Sequence, residues 1–274
     1  MFKPYHLFTY NARDDGDVRA QDVRTAGPLT IIAHRGASAY FPENTIDSFQ
    51  GAIAMDADMV ELDVQLTLDG EVVVFHDEEI TRCTNGQGRI ADYALVNLKK
   101  LDAGSWFDKK FRGAEIPLLA EVLSLCKDRI AVNIEIKAEA VKEQIKGGIE
   151  EKCLQIVNQS GLQDHVVFSS FDPRALRHLR HLNRQASLAV LFEKKYYDAQ
   201  LPSEIVVSLD GNAFNCSRRE LNKTWLADLK RHGIPVNVYT VDDEKSMKRL
   251  HALGVDGIFT NKPDVLRNVL DDLR

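Results

Sequence analysis

The sequence has few cysteines, no long apolar run and no excess of positive charge. Its four cysteines lie far apart, so they lack the paired spacing of a zinc site. No stretch approaches the roughly 20 apolar residues that a membrane-spanning helix needs, which argues against stable membrane insertion. The formal net charge is −6, from 35 basic and 41 acidic residues. That balance argues against binding to nucleic acid or to an anionic membrane surface.

The N-terminal segment, residues 1–28, is polar and charged, and its first 25 residues lack the apolar core of a signal peptide. We expect it to be a tail ahead of one domain that spans residues 29–274. Separated cysteines are typical of reduced, buried thiols, so we expect a cytoplasmic protein. The sequence leaves both a monomer and an oligomer open.

Short β-rich runs alternate with longer stretches of helical periodicity. Eight strand–helix repeats within about 245 residues match a (β/α)8 barrel in size and number. A doubly wound open sheet is the alternative, but no Gly-x-Gly-x-x-Gly follows the first strand. Residues 205–208 compete with the run at 213 for the sixth strand. The predicted strands are 30–33, 59–65, 132–136, 166–169, 188–192, 213–215, 236–240 and 257–260, and the predicted helices are 44–55, 118–126, 140–159, 173–182, 220–232, 244–253 and 263–273.

One segment interrupts this alternation after the second strand. Asp69-Gly70 is a turn signal, and residues 72–75 are predicted to return as a hairpin partner of that strand. About forty residues of mixed sequence follow, from 77 to 116, and insertions of this length are usually functional lids or disordered. Trp106, Phe107 and Phe111 favour an ordered cap over the pocket.

Three carboxylates are predicted to converge where strands end. Glu61 and Asp63 are two residues apart and therefore lie on one side of a strand. Their neighbours in the strand are apolar, so the carboxylates occupy the other face, which is also buried in a parallel sheet. Glu135 lies on the next parallel strand. Three carboxylates without a thiolate suit a hard cation such as Mg²⁺ or Ca²⁺.

Basic and titratable residues surround the same point. The first strand ends in His34-Arg35-Gly36, the hairpin return ends in His76, and Lys137 follows Glu135 by two residues. Arg35 and Lys137 suit an anion such as phosphate, and two histidines could act as general base and general acid on it. Glu135 and Lys137 could instead form an internal ion pair. Gly36 allows a tight turn of the backbone.

Taken in order, these motifs resemble the glycerophosphodiester phosphodiesterase family. The resemblance covers residues 29 to 270, almost the whole chain after the tail. The residues that carry it are His34-Arg35-Gly36, Pro42-Glu43-Asn44-Thr45, Glu61-Leu62-Asp63-Val64, Val73-Val74-Phe75-His76-Asp77, Asn133-Ile134-Glu135-Ile136-Lys137, and residues 254–261 with Pro263-Asp264.

The resemblance implies a barrel that hydrolyses a small-molecule phosphodiester, a glycerophosphodiester, to glycerol 3-phosphate and an alcohol. It implies one divalent cation, Mg²⁺ or Ca²⁺ with Mn²⁺ as a further candidate. The implied roles are metal binding for Glu61, Asp63 and Glu135, acid–base catalysis for His34 and His76, and phosphate binding for Arg35 and Lys137.

Five further residues are implied to serve the substrate. Asn44 is expected to contact phosphate or the metal shell, and Glu43 is expected to fix His34. Trp106 lies in a segment similar to the family's small insertion. Tyr239 takes the place of an aromatic residue that is commonly Trp in the family, which would make the pocket more polar. Phe214 is expected to form another wall.

Two other functions stay open on the sequence. A related barrel could cleave membrane phospholipids with similar histidines and a metal, although no exposed apolar or basic rim is evident. A non-catalytic phosphate-binding protein could use the same fold. Both histidines and all three carboxylates are present, and binding alone would need fewer of them.

Overall fold

The structure, a computed structural model, describes residues 28–274. Within this range, strands and helices alternate along the chain. The strands are β1 (Thr30–His34), β2 (Met59–Leu66), β3 (Val72–Val74), β4 (Ala131–Ile136), β5 (Val166–Ser170), β6 (Ser187–Leu191), β7 (Ala213–Ser217), β8 (Val236–Tyr239) and β9 (Gly257–Thr260). The helices are α1 (Ile46–Ala54), α2 (Leu95–Leu98), α3 (Leu119–Cys126), α4 (Ile149–Ser160), α5 (Pro173–Leu182), α6 (Pro202–Ser208), α7 (Lys223–Arg231), α8 (Glu244–Leu253) and α9 (Pro263–Asp271).

Eight of the described strands run parallel and close into a barrel. The order around the ring is β1, β2, β4, β5, β6, β7, β8 and β9, and β9 pairs again with β1. β3 lies outside the ring as the antiparallel partner of β2. The predicted (β/α)8 barrel and its hairpin are therefore confirmed, and the open doubly wound sheet is excluded.

The interior of the barrel changes from apolar to polar along the strand direction. Two residues beyond the apolar layer on β4, Asn133 donates a hydrogen bond of 3.0 Å to Ser169, and Asn237 donates one of 2.9 Å to Asn215. Glu61 of β2 lies level with Asn133, and Asp63 and Glu135 lie two residues further towards the open end. The apolar layer consists of Ile32, Met59, Ala131, Val167, Ala189, Ala213 and Phe259.

The other face of each strand packs against the helices. Val60, Leu62 and Val64 of β2 are fully buried in this outer core. Because successive side chains of a strand point to opposite faces, Glu61 and Asp63 point into the barrel. The carboxylates are therefore not on the solvent side of an edge strand.

Phe214 belongs to the outer core, so the prediction that it forms a wall of the pocket was wrong. Its ring is fully buried and lies 5.7 Å from Trp225 and 6.0 Å from Phe192, centroid to centroid. Its neighbours in the strand, Ala213 and Asn215, take the inward positions. The inward-facing and outward-facing positions of β7 are thus the reverse of those expected.

One predicted helix begins much later than expected, and one helix was not predicted. The predicted helix 140–159 begins only at Ile149, because Gly147 has a left-handed φ of 73° and ends the preceding turn. Residues 205–208, the competing strand, belong instead to helix α6, which starts at Pro202 with Glu204 accepting from the backbone of Leu201.

The cap, residues 77–116, has a small apolar core of its own. Ile80, Ile90, Leu98 and Ile116 are buried in it, and it packs on the hairpin strand β3 through Val73. Short 3₁₀ turns and α2 make up its regular structure. The cap is therefore ordered, as its aromatic residues in the sequence predict.

Three expectations concern the chain as a whole. The four cysteines, all within residues 28–274, are free and buried. None of the helices in that range is long and apolar enough to cross a membrane. Apart from residue 28, the predicted tail lies outside the described residues.

Replacing Phe214 with alanine should lower the free energy of unfolding by about 3–5 kcal/mol, because it leaves a cavity in the outer core. Urea unfolding measures this loss. Tyr196→Ala is the matched control, since Tyr196 is 41% exposed and a surface change should stay within about 0.5 kcal/mol. Equal stabilities of the two variants would contradict the placement of Phe214.

Candidate active site

Three buried carboxylates meet at the open end of the barrel. Asp63 pairs in register with Glu135 on the neighbouring strand. One oxygen of each of Glu61, Asp63 and Glu135 lies within 4.8 Å of the others. Oδ1 of Asp63 is buried and accepts no hydrogen bond from the described residues. A buried oxygen that accepts no hydrogen bond, within an all-carboxylate set, fits a divalent cation that prefers oxygen ligands.

The crowding of these carboxylates changes their acidity. Burial, with the charges of Asp63 and Glu135, raises the pKa of Glu61 well above its usual range. Burial also raises the pKa of Glu135 to about 7, although Lys137 opposes this shift. β2 and β4 thus hold carboxylates close together, although like charges on these groups would repel one another.

Two cations partly offset this repulsion. Lys137 Nζ lies 2.9 Å from Glu135 Oε1 and 3.4 Å from Asp63 Oδ1, and Arg35 Nε lies 3.5 Å from Asp63 Oδ2. Although burial acts in the opposite direction, Lys137 and Arg35 hold the pKa of Asp63 well below its ordinary value. The ion pair between Glu135 and Lys137 therefore exists, and it is part of the same cluster as the other carboxylates.

The loop after β1 bends back over the carboxylates. Arg35 and Gly36 have left-handed φ angles of 58° and 81°, and the Arg35 backbone N–H donates to Glu61 Oε2 at 2.8 Å. Further along, Asn44 is buried and its Nδ2 donates to Asp63 Oδ2 at 2.8 Å. The loop thereby brings one backbone and one side-chain donor to two of the three carboxylates.

Glu43 does not hold His34 in place, contrary to expectation. Its Oε1 accepts a hydrogen bond of 2.7 Å from Nη1 of Arg35. Nδ1 of His34 lies instead 2.8 Å from Oδ1 of Asn261, whose Nδ2 donates to Asp242 at 2.7 Å. Because that carboxylate only accepts, the Asn261 oxygen must face the histidine, and the proton of neutral His34 is on Nδ1. Nε2 is left with its lone pair.

The neutral form of His34 is favoured by its surroundings. Burial, with the charge of Arg35, lowers the pKa of His34 to about 4. At neutral pH the ring is therefore uncharged and able to accept a proton at Nε2.

His76 is oriented by a carboxylate. Its Nδ1 lies 2.5 Å from Asp77 Oδ1, so the free atom of this ring is also Nε2. The backbone at this point is fixed by Gln65, whose Nε2 donates to the carbonyls of Phe75 at 3.0 Å and Asp77 at 2.6 Å. Burial lowers the pKa of His76, while the charge of Asp63 acts against this.

The two predicted aromatic contacts have different surroundings. Tyr239, at the end of β8, lies edge-on to Phe171 at 6.0 Å and to Phe259 at 6.2 Å, and burial raises its pKa. Trp106 of the cap is 38% exposed. The Arg82 guanidinium lies 6.0 Å from its ring centroid. Trp106 and Tyr239 remain predicted substrate contacts.

Seven of the predicted site residues form one network of direct contacts. The two histidines adjoin it: His34 pairs in register with Glu61, and His76 is linked to Glu43 through Asp77 and Arg82. The sequence model of the glycerophosphoryl diester phosphodiesterase family matches residues 34–265, a range that contains all of them. The chain belongs to this family. Its members are phosphoric diester hydrolases. The seven residues in direct contact are Arg35, Glu43, Asn44, Glu61, Asp63, Glu135 and Lys137.

Named relatives and solved structures cover nearly the same range. A glycerophosphodiester phosphodiesterase of Caldanaerobacter subterraneus subsp. tengcongensis is 37% identical over 88% of this chain and 97% of the relative. One of Bacillus subtilis is 34% identical over 88% of this chain and 86% of the relative. An Oleispira antarctica phosphodiesterase, solved with the product sn-glycerol-3-phosphate, has a TM-score of 0.82 and is 29% identical, over 88% of this chain and 96% of that chain.

Several residues that hold the site of this family member were not predicted from the sequence. Asn261 and Asp242 orient His34, Gln65 fixes the backbone near His76, and Arg82 contacts the carboxylates behind His76 and Arg35. Asn261 follows the last strand directly, which was the available signal. The other partners come together only in the folded barrel.

Gly36→Ala should destabilise the protein more than Gly113→Ala. Both glycines have a left-handed φ, of 81° and 85°, which costs a side chain about 1–2 kcal/mol. At Gly36 the new Cβ would also lie 2.6 Å from the Ser48 carbonyl carbon, whereas at Gly113 no atom lies within 4 Å. Urea unfolding of both variants tests this, and equal losses would contradict it.

Proposed function

We propose that this protein hydrolyses glycerophosphodiesters to glycerol 3-phosphate and an alcohol, with two histidines as acid and base and a divalent cation bound. One observation carries the proposal: two histidines stand beside three carboxylates and two cations, and each has Nδ1 hydrogen-bonded and no partner for Nε2 among the described residues. The relative that was solved with sn-glycerol-3-phosphate supports the choice of product.

Glu61, Asp63 and Glu135 are the proposed ligands of the cation. Mg²⁺ and Ca²⁺ suit this set of oxygens, and Mn²⁺ is a further candidate. When bound, such an ion neutralises phosphate charge and stabilises the charge that grows in the transition state.

Arg35 and Lys137 are the proposed phosphate-binding residues. Nε of Arg35 is buried, makes no hydrogen bond within the described residues and lies 3.5 Å from Asp63 Oδ2, so the charge of Arg35 is held beside the carboxylates, where a phosphate oxygen can share it. Lys137 is buried between Asp63 and Glu135, whose charges overcome the effect of burial and raise its pKa. Two fixed positive charges at the carboxylate cluster suit a phosphodiester that carries one negative charge.

The histidines supply the proton transfers at Nε2. One, in its neutral form, takes the proton of the attacking hydroxyl at Nε2 as that oxygen bonds to phosphorus. The other, protonated on Nε2 as well as Nδ1, gives its Nε2 proton to the leaving alcohol oxygen as the bond of that oxygen to phosphorus breaks. The attacker is water, or it is the glycerol 2-hydroxyl, in which case water then opens the cyclic phosphate and the histidines exchange roles. Both routes use the same two Nε2 atoms.

The location and the partners belong to the same proposal. A cytoplasmic site of action agrees with four free, buried cysteines. The substrate is a small soluble diester, and the net charge of −6 argues against nucleic acid as a partner.

His34→Ala and His76→Ala should each lower kcat by about 10²–10⁴-fold, because each removes one proton transfer. The assay supplies glycerophosphocholine with each of the three cations and couples released glycerol 3-phosphate to its dehydrogenase. His251→Ala, on the exposed face of α8, is the control. Full activity in both histidine variants would overturn the proposal, and faster turnover of phospholipid vesicles than of soluble diesters would indicate a lipid-cleaving enzyme.

A bound cation should raise the melting temperature of the metal-stripped protein, since at 100 times Kd a ligand adds about 2.7 kcal/mol. Glu61→Gln should abolish this increase. Without metal the variant should be at least as stable as the natural protein, because one of three repelling carboxylates is gone. Glu78→Gln in the exposed part of the cap should keep the full increase. An increase that persists in Glu61→Gln would place the cation elsewhere.

A further inference from the structure

We propose that Arg82, a residue of the cap, is a positioning residue that orients both His76 and Arg35 through the carboxylates behind them. The inference rests on the proposed function and extends it, because it makes one side chain of the insertion responsible for an acid–base group and a phosphate-binding group together.

Arg82 donates four hydrogen bonds to two carboxylates. Nη1 and Nη2 contact the two oxygens of Glu43 at 2.8 and 2.7 Å. Nε and Nη2 contact the two oxygens of Asp77 at 2.5 and 3.0 Å. Only a planar guanidinium presents donors in this fixed arrangement. Glu43 and Asp77 therefore have no freedom to turn their carboxylate planes while Arg82 is in place.

Each of these carboxylates passes the restraint to a proposed functional side chain. Asp77 Oδ1 also contacts Nδ1 of His76 at 2.5 Å. Glu43 Oε1 also accepts from Nη1 of Arg35 at 2.7 Å. Arg82 is thus one residue removed from both, and it joins the loop before α1 to the loop after β3.

The place of Arg82 in the cap makes the restraint firm without making it essential for folding. Arg82 ends the 3₁₀ turn Ile80–Arg82, whose Ile80 is fully buried in the core of the cap. Its own side chain is 44% exposed, so its removal leaves no internal cavity. Hydrogen bonds to Glu43 and Asp77 raise the pKa of Arg82 still further above neutrality, so its charge is constant.

The first test compares the full-length protein with Arg82→Gln and Arg82→Lys on glycerophosphocholine with saturating metal. Both variants should lose about 10- to 100-fold in kcat/KM, because small misplacements of reacting groups have effects of that size. Lysine keeps the charge but not the fork, so activity retained in Arg82→Lys would overturn the claim of geometric positioning. The control is Arg89→Gln, another cap arginine that bonds two acidic residues, Asp92 and Glu78, away from the site; it should leave kcat and KM unchanged.

The second test distinguishes the effect of Arg82 on His76 through Asp77 from its effect on Arg35 through Glu43. Asp77→Asn should act mainly on kcat through His76, whereas Glu43→Gln should act mainly on KM through Arg35. Adding Arg82→Gln to Asp77→Asn should lower kcat little further, since both changes break the same link. Additive losses in kcat would overturn the route through Asp77.

The third test observes His76 itself. In the natural protein, the ¹⁵N chemical shifts of the His76 ring should report a proton fixed on Nδ1, and in Arg82→Gln a mixture of tautomers. An unchanged His76 signal in a slow Arg82→Gln variant would overturn the inference. If the natural protein is active and the histidine variants are not, full activity of Arg82→Gln refutes only this inference; a natural protein without diesterase activity refutes the proposed function.

Discussion

Repulsion among three buried carboxylates is the constraint on which the open end of this barrel depends. At an effective dielectric constant near 20, two unit charges about 4 Å apart repel by on the order of 4 kcal/mol, and one oxygen of each of Glu61, Asp63 and Glu135 lies within 4.8 Å of the others. Lys137, Arg35 and the Asn44 amide each offset part of this repulsion. The groups placed around the carboxylates are thus explained by the same electrostatic demand.

Strand register explains how one domain can hold so many charges in its interior and remain folded. Inward positions of β4 run from Ala131 through Asn133 to Glu135, so polarity increases in steps towards the opening. The amides of the middle layer bond to one another or to serine, and on β4 the amide of Asn133 lies between the apolar layer and Glu135. Because the outer faces of the same strands remain apolar, the barrel is stabilised by its contact with the helices, and the interior is free to carry chemistry.

The barrel and much of the site could be predicted from the sequence, because they follow from local rules. Two-residue spacing placed Glu61 and Asp63 on one face, and strand ends brought His34 close to them. Phe214 was assigned to the wrong face because the short strand β7 has no regular alternation of apolar and polar residues. Its sequence therefore does not show which side chains point into the barrel. Helix α6 was missed since its apolar run fits either a strand or a helix. The roles of Asn261 and Arg82 depend on contacts across 227 and 39 residues, which no spacing within a motif records.

The four-bond contact of Arg82 has a consequence for how such enzymes can be recombined. The cap is not an exchangeable module that can be cut from one barrel and set on another. A chimaera with a foreign cap would keep the carboxylate cluster of its barrel but would need an arginine at the end of the first cap turn, opposite a glutamate contributed by the loop after β1. Insertion and barrel are therefore expected to diversify together at this contact, while the exposed remainder of the cap is free to vary.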